Sequence, residues 1–212
     1  MGEHEGGYLR DLLEAARDRA FVGRIAELAL FRTALSSAPG SRSVHYLHGP
    51  GGIGKSTFLR RFACEVHREG RPVAEVDGRT LIPTPQGFTA AAGDVIGEPG
   101  VVLLVDTFER CQGLEHWLRE EFVPGLPAGS VVVIAGRRPP DSDWTSDPGW
   151  ADPLHVTSLR NLTPKDAVRL LRARGLRPEV HQSLLSFTGG NPLALTLAAA
   201  VALQDGAAAD SG

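Results

Sequence analysis

The chain has 212 residues and a mass of 22.6 kDa, enough for one domain or one domain with part of a second. Hydrophobic residues at 42 % and charged residues at 22 % exclude a wholly disordered chain. A net charge of −3 and a pI near 6.2 provide no global basic field for nucleic acid or an anionic membrane. Cys64 and Cys111 are too few and too far apart for a disulfide framework or a cysteine-based zinc site, so both are expected as buried, reduced thiols.

Met1–Gly7 is acidic and glycine-rich, without the basic and apolar regions of a secretory leader. The longest apolar run, Leu193–Leu203, contains Thr196 and is too short to span a bilayer. The expectation is a cytoplasmic chain with no membrane partner.

In chain order, Leu9, Leu12, Leu13 and Ala16 recur at helical spacing, so Tyr8–Ala20 reads as an amphipathic helix. Phe21-Val22-Gly23-Arg24 interrupts it, and a helical pattern resumes over Ile25–Leu35 until Pro39-Gly40. A first strand, Val44–His48, leads into the glycine-rich stretch Gly49–Gly54 and a helix from Lys55 to about Glu69, with Gly70 in the place of a helix-ending glycine. Pro72–Val76 reads as a short strand and Pro85–Ile96 as a helix. Val101–Val105 is wholly apolar, the mark of a strand buried on both faces in a parallel sheet. Leu114–Phe122 reads as helix, Ser130–Ala135 as another buried strand, Arg137–Trp150 as loop and Leu154–Val156 as a last strand.

Strands alternating with helices predict an α/β architecture with a mostly parallel sheet flanked by helices, followed after Leu159 by a small all-helical part. There, Thr163-Pro164-Lys165-Asp166 combines a capping hydroxyl, a proline at the first helical position and a carboxylate at the third. That helix runs to Gly175, and Glu179–Phe187 and Pro192–Gln204 follow. The division expected is an N-terminal helical extension over 1–20, an α/β domain over 21–158, a partial helical part over 159–204 and a flexible tail over 205–212.

Gly49-Pro50-Gly51-Gly52-Ile53-Gly54-Lys55-Ser56 fits the phosphate-loop pattern G-x-x-x-x-G-K-[ST] and lies between a predicted strand and helix, the context that pattern requires. Glycines let backbone N–H groups curl around a phosphate, and the helix N-terminus at Lys55 adds partial positive charge. Lys55 would reach the β- and γ-phosphates, Ser56 would ligate Mg²⁺, and Thr57 would serve the α-phosphate. The same stretch also reads Gly49-x-Gly51-x-x-Gly54, the dinucleotide fingerprint, with Asp77 about 20 residues on as a ribose-binding acid. Lys55-Ser56, which that fingerprint does not need, favours the phosphate loop.

Val101–Asp106 delivers one carboxylate at the C-terminal end of a buried strand, where open parallel sheets bind ligands. Asp106 is therefore expected to hold Mg²⁺, directly or from the outer shell. Glu109 is the candidate to orient an attacking water; its other reading is a solvated glutamate at a helix start. Arg137, after the buried strand ending at Ala135-Gly136, is placed to sense the γ-phosphate, while Arg138 faces solvent or an acidic partner. His45 and His48 read as plain strand residues at a sheet edge.

Together these residues resemble the STAND class of signalling P-loop ATPases, the group of NB-ARC and NACHT proteins. Phe21-Val22-Gly23-Arg24 resembles its hydrophobic-hydrophobic-Gly-Arg element, Gly49–Thr57 its phosphate loop, and Val101–Asp106 its metal-binding strand. Val133–Arg137 is similar to its sensor-arginine strand, and Gly190-Asn191-Pro192-Leu193-Ala194-Leu195 to its Gly-x-Pro signature. The resemblance covers about residues 20–204. It implies that Val22, Gly23 and Arg24 contact adenine and ribose, that Pro192 packs on the adenine in an ADP-bound closed state, and that ATP or ADP with Mg²⁺ is the ligand. It further implies a switch coupling the nucleotide state to subdomain closure or oligomerisation, with partners reached through the helical part and no direct nucleic-acid contact. Thr107 stands where the family has a second acid, so hydrolysis is expected to be slow. An active P-loop enzyme, such as a small-molecule kinase or loader-type ATPase, and a nucleotide-free adaptor are the alternatives.

Overall fold

Five strands form, aliphatic runs at the centre and mixed sequences elsewhere, and every neighbouring pair is parallel: β1 (Ser43–His48), β2 (Val73–Asp77), β3 (Val102–Asp106), β4 (Val131–Gly136) and β5 (Leu154–Ser158). The computed structural model describes residues 8–36 and 43–209, so the expectations for Met1–Gly7 and Pro39-Gly40 lie outside the described residues. The sheet order is β2-β3-β4-β1-β5. Burial follows position: β4 is buried throughout and β3 up to Val105, whereas the edge strands β2 and β5 alternate or face outward. A strand covered on both faces tends toward a continuous apolar run, and one at an edge need not. The register aligns His48 with Gly136, and Asp77 with Asp106, so these strands deliver their last residues to one end of the sheet.

The chain divides into two compact units. The sheet unit spans Arg24–Arg160 and includes α2 (Ile25–Leu35), α3 (Lys55–Arg68), α4 (Pro85–Ala92), the short α5 (Glu115–Trp117) and α6 (Ser142–Ser146). α3 packs on β3 and β4 with Phe58, Leu59, Phe62, Ala63 and Val66 buried, and α4 packs on β2 through Phe88 and Ala92. Phe31 of α2 meets Phe58 and Phe62 edge-on at 4.9 and 5.2 Å, the favoured arrangement for aromatic pairs. A larger cluster joins Tyr46, Val76, Phe88, Leu103, Val105, Phe108, Ile134 and Trp144.

Several elements depart from the sequence expectation. The helix expected over Pro85–Ile96 stops at Ala92, because Gly93 adopts φ 71° and a separate 3₁₀ turn follows over Asp94–Gly97. Leu114–Phe122 is not one regular helix: α5 opens into a π-type turn over Leu118–Phe122. The loop expected over Arg137–Trp150 contains α6, started by the Asp141 carboxylate accepting from the Asp143 N–H at 3.3 Å. β1 is flanked by β4 and β5, so His45 and His48 do not lie at a sheet edge, and His45 is buried. Cys111 is buried as expected, but Cys64 is only half-buried.

The helical unit comprises the residues up to Gly23 together with those from Asn161 onward, so the N-terminal helix α1 (Leu9–Ala20) groups with the C-terminal helices. α7 (Pro164–Ala173) begins at Thr163, whose hydroxyl accepts from the Asp166 N–H at 3.2 Å. α8 (His181–Thr188) and α9 (Pro192–Ala209) complete it, and Ala167, Leu170, Leu171, Leu176, Leu195 and Ala199 form its core. α9 continues past Gln204 into the alanines at 207–209, the best helix formers; residues 210–212 of the expected tail lie outside the described residues. Among the described residues no helix is long and apolar enough to cross a membrane.

Candidate functional site

The strand-to-helix turn between β1 and α3 is built by its glycines and one buried anchor. Gly49 lies where a Cβ would come within 2.8 Å of the Leu159 carbonyl oxygen, so only glycine fits. Gly54 caps α3 with φ 99°, a region that side chains other than glycine rarely adopt. Ile53, 1 % exposed, pins the loop to the core. The first amides of α3, at Lys55, Ser56 and Thr57, have no earlier helical turn to bond to, and such amides at a helix N-terminus favour an anion.

Arg24 ties this loop to the strand end that precedes Asn161. Its backbone takes the left-handed conformation (φ 61°), and its guanidinium donates to the Ile53 carbonyl at 3.1 Å and the Arg160 carbonyl at 2.5 Å while pairing with Glu27 at 3.1 Å. Lys55 Nζ folds back on the loop, donating to the Gly49 carbonyl at 2.6 Å and the Pro50 carbonyl at 3.1 Å. Burial holds the Lys55 ammonium below its usual pKa; Glu109 opposes that, Arg137 adds to it, and Asp106 opposes it.

The ends of β3 and β4 supply the remaining groups. Asp106 Oδ1 accepts from the Thr107 N–H at 2.8 Å, and Thr107 itself is left-handed (φ 56°). This bend starts a 3₁₀ turn over Phe108–Arg110 that carries Glu109. The turn lies against Gly136: a Cβ there would sit 3.5 Å from Phe108 Cβ and 4.0 Å from the Glu109 nitrogen. The residue after that glycine, Arg137, donates through Nε to Glu109 Oε1 at 2.7 Å, and its guanidinium reaches 3.9 Å from where a Cβ on Gly51 would be. Glu109 is thus no freely solvated helix-start glutamate; its Oε2 is buried and has no hydrogen-bond partner.

Of the residues singled out from sequence, Arg24, Gly49–Thr57, Asp106, Glu109 and Arg137 belong to the sheet unit, and Lys55, Asp106, Glu109 and Arg137 interact there. Val22, Gly23 and Pro192 belong to the helical unit. Val22 packs on its core, Gly23 lies where a Cβ would meet the Asp166 carboxylate at 3.1 Å, and Pro192 opens α9 behind Asn191. The Asn191 side-chain oxygen accepts from the Leu193 and Ala194 N–H groups. Leu159 and Arg160, whose carbonyls meet Gly49 and Arg24, carry no motif, and sequence reasoning had no signal for them.

The strand order disposes of the dinucleotide reading. In that fold the strand bearing the ribose acid neighbours the one before the glycine loop. Here β4 and β3 stand between β1 and β2, about 14 Å at the usual strand spacing. Asp77 is instead forked by Arg79, at 3.0 Å from Nε and 2.6 Å from Nη2. Arg79 holds its carboxyl below the usual carboxylate range.

The donor set fits a magnesium-bound polyphosphate. Lys55, Arg137 and the amides of the loop supply positive potential where Gly51 and Gly54 leave the backbone open, and Ser56 and Asp106 are oxygen ligands of the type Mg²⁺ takes. Among the described residues there is no cluster of three or more His, Cys, Asp or Glu side chains able to hold a metal alone. Mg²⁺ at phosphates needs none, since water and phosphate oxygens complete its shell.

No protein-family model matches the sequence, and no curated protein matches it. Solved structures do match. A RuvB variant from Thermotoga maritima aligns with a TM-score of 0.57 at 21 % identity over 82 % of this chain and 60 % of its own. Cdc6p from Pyrobaculum aerophilum gives 0.60 at 17 % over 91 % and 66 %. The replication initiator DnaA, bound to AMPPCP and single-stranded DNA, gives 0.59 at 18 % over 84 % and 60 %. The chain therefore spans about 60 to 66 % of the length of these proteins. Its parallel five-stranded sheet flanked by helices, with a helical C-terminal part, is the fold of the AAA+ P-loop ATPases.

Proposed function

We propose that the sheet unit binds ATP or ADP with Mg²⁺ and that the chain is a slowly hydrolysing switch module of the STAND type. The observation that carries this is the convergence of Lys55, Asp106, Glu109 and Arg137 around the N-terminus of α3. Lys55 would exchange the Gly49 and Pro50 carbonyls for β- and γ-phosphate oxygens, and the amides of Gly52–Thr57 would cradle the rest. Ser56 and Asp106 would hold Mg²⁺, which when bound neutralises charge on the transferring phosphoryl group. Arg24 would keep the loop in shape through Ile53. Val22, Gly23 and Pro192 would meet the base and ribose, and through them the helical unit would respond to the nucleotide. A ligand shifts such an equilibrium only by contacting the two states differently, which ATP and ADP do if one terminal phosphate is read. Self-association or a protein partner reached through the helical unit would transmit the state.

Thr107 in place of a second acid, and a Glu109 already engaged by Arg137, both support slow turnover. The test is nucleotide affinity with and without Mg²⁺ for the natural chain and Lys55→Ala. Affinity in the variant should fall at least about tenfold, the loss of one charge-assisted phosphate contact. Equal affinity overturns the reading. No thermal shift of the natural chain with saturating ATP or ADP identifies a nucleotide-free adaptor instead.

A further inference from the structure

The arginines of the two units are employed differently. In the sheet unit Arg24, Arg32, Arg71, Arg79 and Arg119 each bond a carboxylate or a backbone carbonyl. In the helical unit the stretch 163–177 carries five cations, Lys165, Arg169, Arg172, Arg174 and Arg177, against one carboxylate, Asp166. All five are exposed. The Asp166 carboxylate lies 3.7 Å from Arg169, and its Oδ2 also accepts from the Thr163 hydroxyl at 2.9 Å. Among the described residues no carboxylate pairs with the other four.

Folding does not explain this concentration. Ala167, Leu170 and Leu171 turn the other face of α7 into the helical core, so the cations fill no space there. Lys165 stands in the first turn, at the positive end of the helix dipole. Lys165, Arg169 and Arg172 recur at i, i+4 and i+7, a spacing at which like charges repel. Only Arg172 and Arg174, at the C-terminal end, gain from the dipole. A helix face that merely meets water interleaves both signs, whereas this chain of net charge −3 gathers positive charge on one stripe.

The stripe also has a shape. Lys165, Arg169 and Arg172 line an open groove with Pro164 and Val168, so apolar residues lie between the cations. At the helical rise the three cations span about 10 Å. No aromatic side chain is among the described lining residues, so the groove offers no platform for a nucleic-acid base. The apolar face of α7 is packed in the core and is not available to enter a bilayer.

We propose that this face of α7 docks an acidic protein segment, one that presents carboxylates at helical spacing with an apolar side chain between them. Carboxylates pair with Arg169 and Arg172, whose planar guanidinium takes two oxygens at once, and with Lys165 at the far end, while the apolar side chain covers Val168. This gives a chemistry to the protein partner that the switch reading places at the helical unit, and it rests on that reading.

The experiment measures binding of the full chain to a labelled helical peptide with glutamates at i, i+4 and i+7 and a leucine between them, by fluorescence anisotropy at about 0.05 M and 0.15 M salt. The glutamine counterpart, a single-stranded oligonucleotide and phosphatidylserine vesicles are run beside it, and ATP and ADP are titrated on the same preparation. The glutamate peptide should bind, the glutamine peptide should not, and affinity should fall as salt rises. Combining Lys165→Gln, Arg169→Gln and Arg172→Gln should weaken binding about 10-fold or more, since exposed pairs are each worth about 2- to 5-fold. Removing like-charge contacts should leave the denaturation midpoint unchanged or raised, which separates lost binding from lost folding. Arg60→Gln, exposed on α3, should change nothing. No binding of the glutamate peptide at either salt overturns the proposal, as does equal binding of the glutamine peptide or an undiminished affinity in the triple variant. A preference for the oligonucleotide or the vesicles that the triple variant loses assigns this face to phosphate and overturns it too. If the peptide binds and neither nucleotide does, the switch reading fails and the face serves an adaptor; if nucleotide binds and the peptide does not, this inference fails alone.

Discussion

The sheet unit and the helical unit draw on similarly apolar sequences and use them differently. In the sheet unit the apolar strands are sandwiched, and Leu103, Val133, Phe58 and Phe62 have no exposure at all. In the helical unit, α9 is apolar around much of its circumference, yet among its residues whose burial is described only Leu195 and Ala199 are fully buried, while Leu193, Leu197 and Val201 are about half exposed and Phe187 is 85 % exposed. Apolar content therefore does not measure a core; what counts is a neighbouring layer on each face. The residues proposed to meet phosphate and Mg²⁺, among them Lys55, Asp106 and Arg137, thus lie in the unit whose strands are covered on both faces, and Val22, Gly23 and Pro192 lie in the helical unit.

The largest expected effects lie in the buried leucines. Leu103→Ala in the middle of the sheet should lower stability by about 3–5 kcal/mol, and Leu171→Ala in the smaller helical core by about 2–4 kcal/mol. Leu197→Ala, 59 % exposed on α9, should stay within about 0.5 kcal/mol. Equilibrium denaturation of the three variants checks this. A loss at Leu197 as large as that at Leu103 breaks the comparison, because it means that face of α9 is covered in solution.

A pH effect of similar size belongs to the sheet unit alone. His45 lies between Phe31, at 4.5 Å, and His155, at 5.0 Å, with Nε2 bonded to Ser43 Oγ at 2.7 Å and Nδ1 buried without a partner. Burial first, and the neighbouring His155 second, push its pKa from 6.5 down to about 4. The folded state therefore disfavours the protonated ring. Its stabilising effect is complete above pH 6.5 and is lost as pH falls toward 4, about 3 kcal/mol in all by linkage. Denaturation midpoints between pH 7 and 4 should show this slope in the natural chain. His45→Phe should flatten it.

Two arginines sharpen the contrast within the sheet unit. Arg71, at the end of the sheet opposite the phosphate loop, donates to the Gly100 carbonyl at 2.9 and 2.6 Å, to Gly129 at 2.7 Å and to Leu35 at 3.0 Å. Arg24 does comparable work beside the loop. Each truncation to alanine should cost about 1–3 kcal/mol, since carbonyls bonded to a charged donor lose their partner. Only Arg24→Ala should also weaken nucleotide binding. Calorimetric titration of both variants separates the two roles, and an equal fall in affinity for Arg71→Ala would show that the loop depends on global stability rather than on Arg24.

Local signals were legible where one segment decides the outcome. The apolar runs at β3 and β4, the glycine loop with Lys55-Ser56, the Thr163-Pro164 helix start and Asp106 at a strand end all follow from spacing and composition. Two departures are local: the helix expected to reach Ile96 breaks at Gly93, whose φ of 71° suits glycine, and the segment at 118–122 widens into a π-type turn that buries its own Leu118 and Arg119. Other signals failed where a neighbour distant in sequence decides. His45 looked like an edge residue because nothing local says that β5 returns beside β1.

By itself the sequence determined the α/β character, the strand-loop-helix turn and the residue types able to hold a magnesium-bound polyphosphate, because each depends on periodicity or on a short run of backbone. Strand order was decided only in three dimensions, through long-range register, and with it the separation of Asp77 from the glycine loop. The same holds for the grouping of α1 with the C-terminal helices, for the carbonyls of Leu159 and Arg160 against Gly49 and Arg24, and for the meeting of Glu109 with Arg137. Those contacts join residues up to 136 positions apart, and no local pattern encodes a partner at that distance.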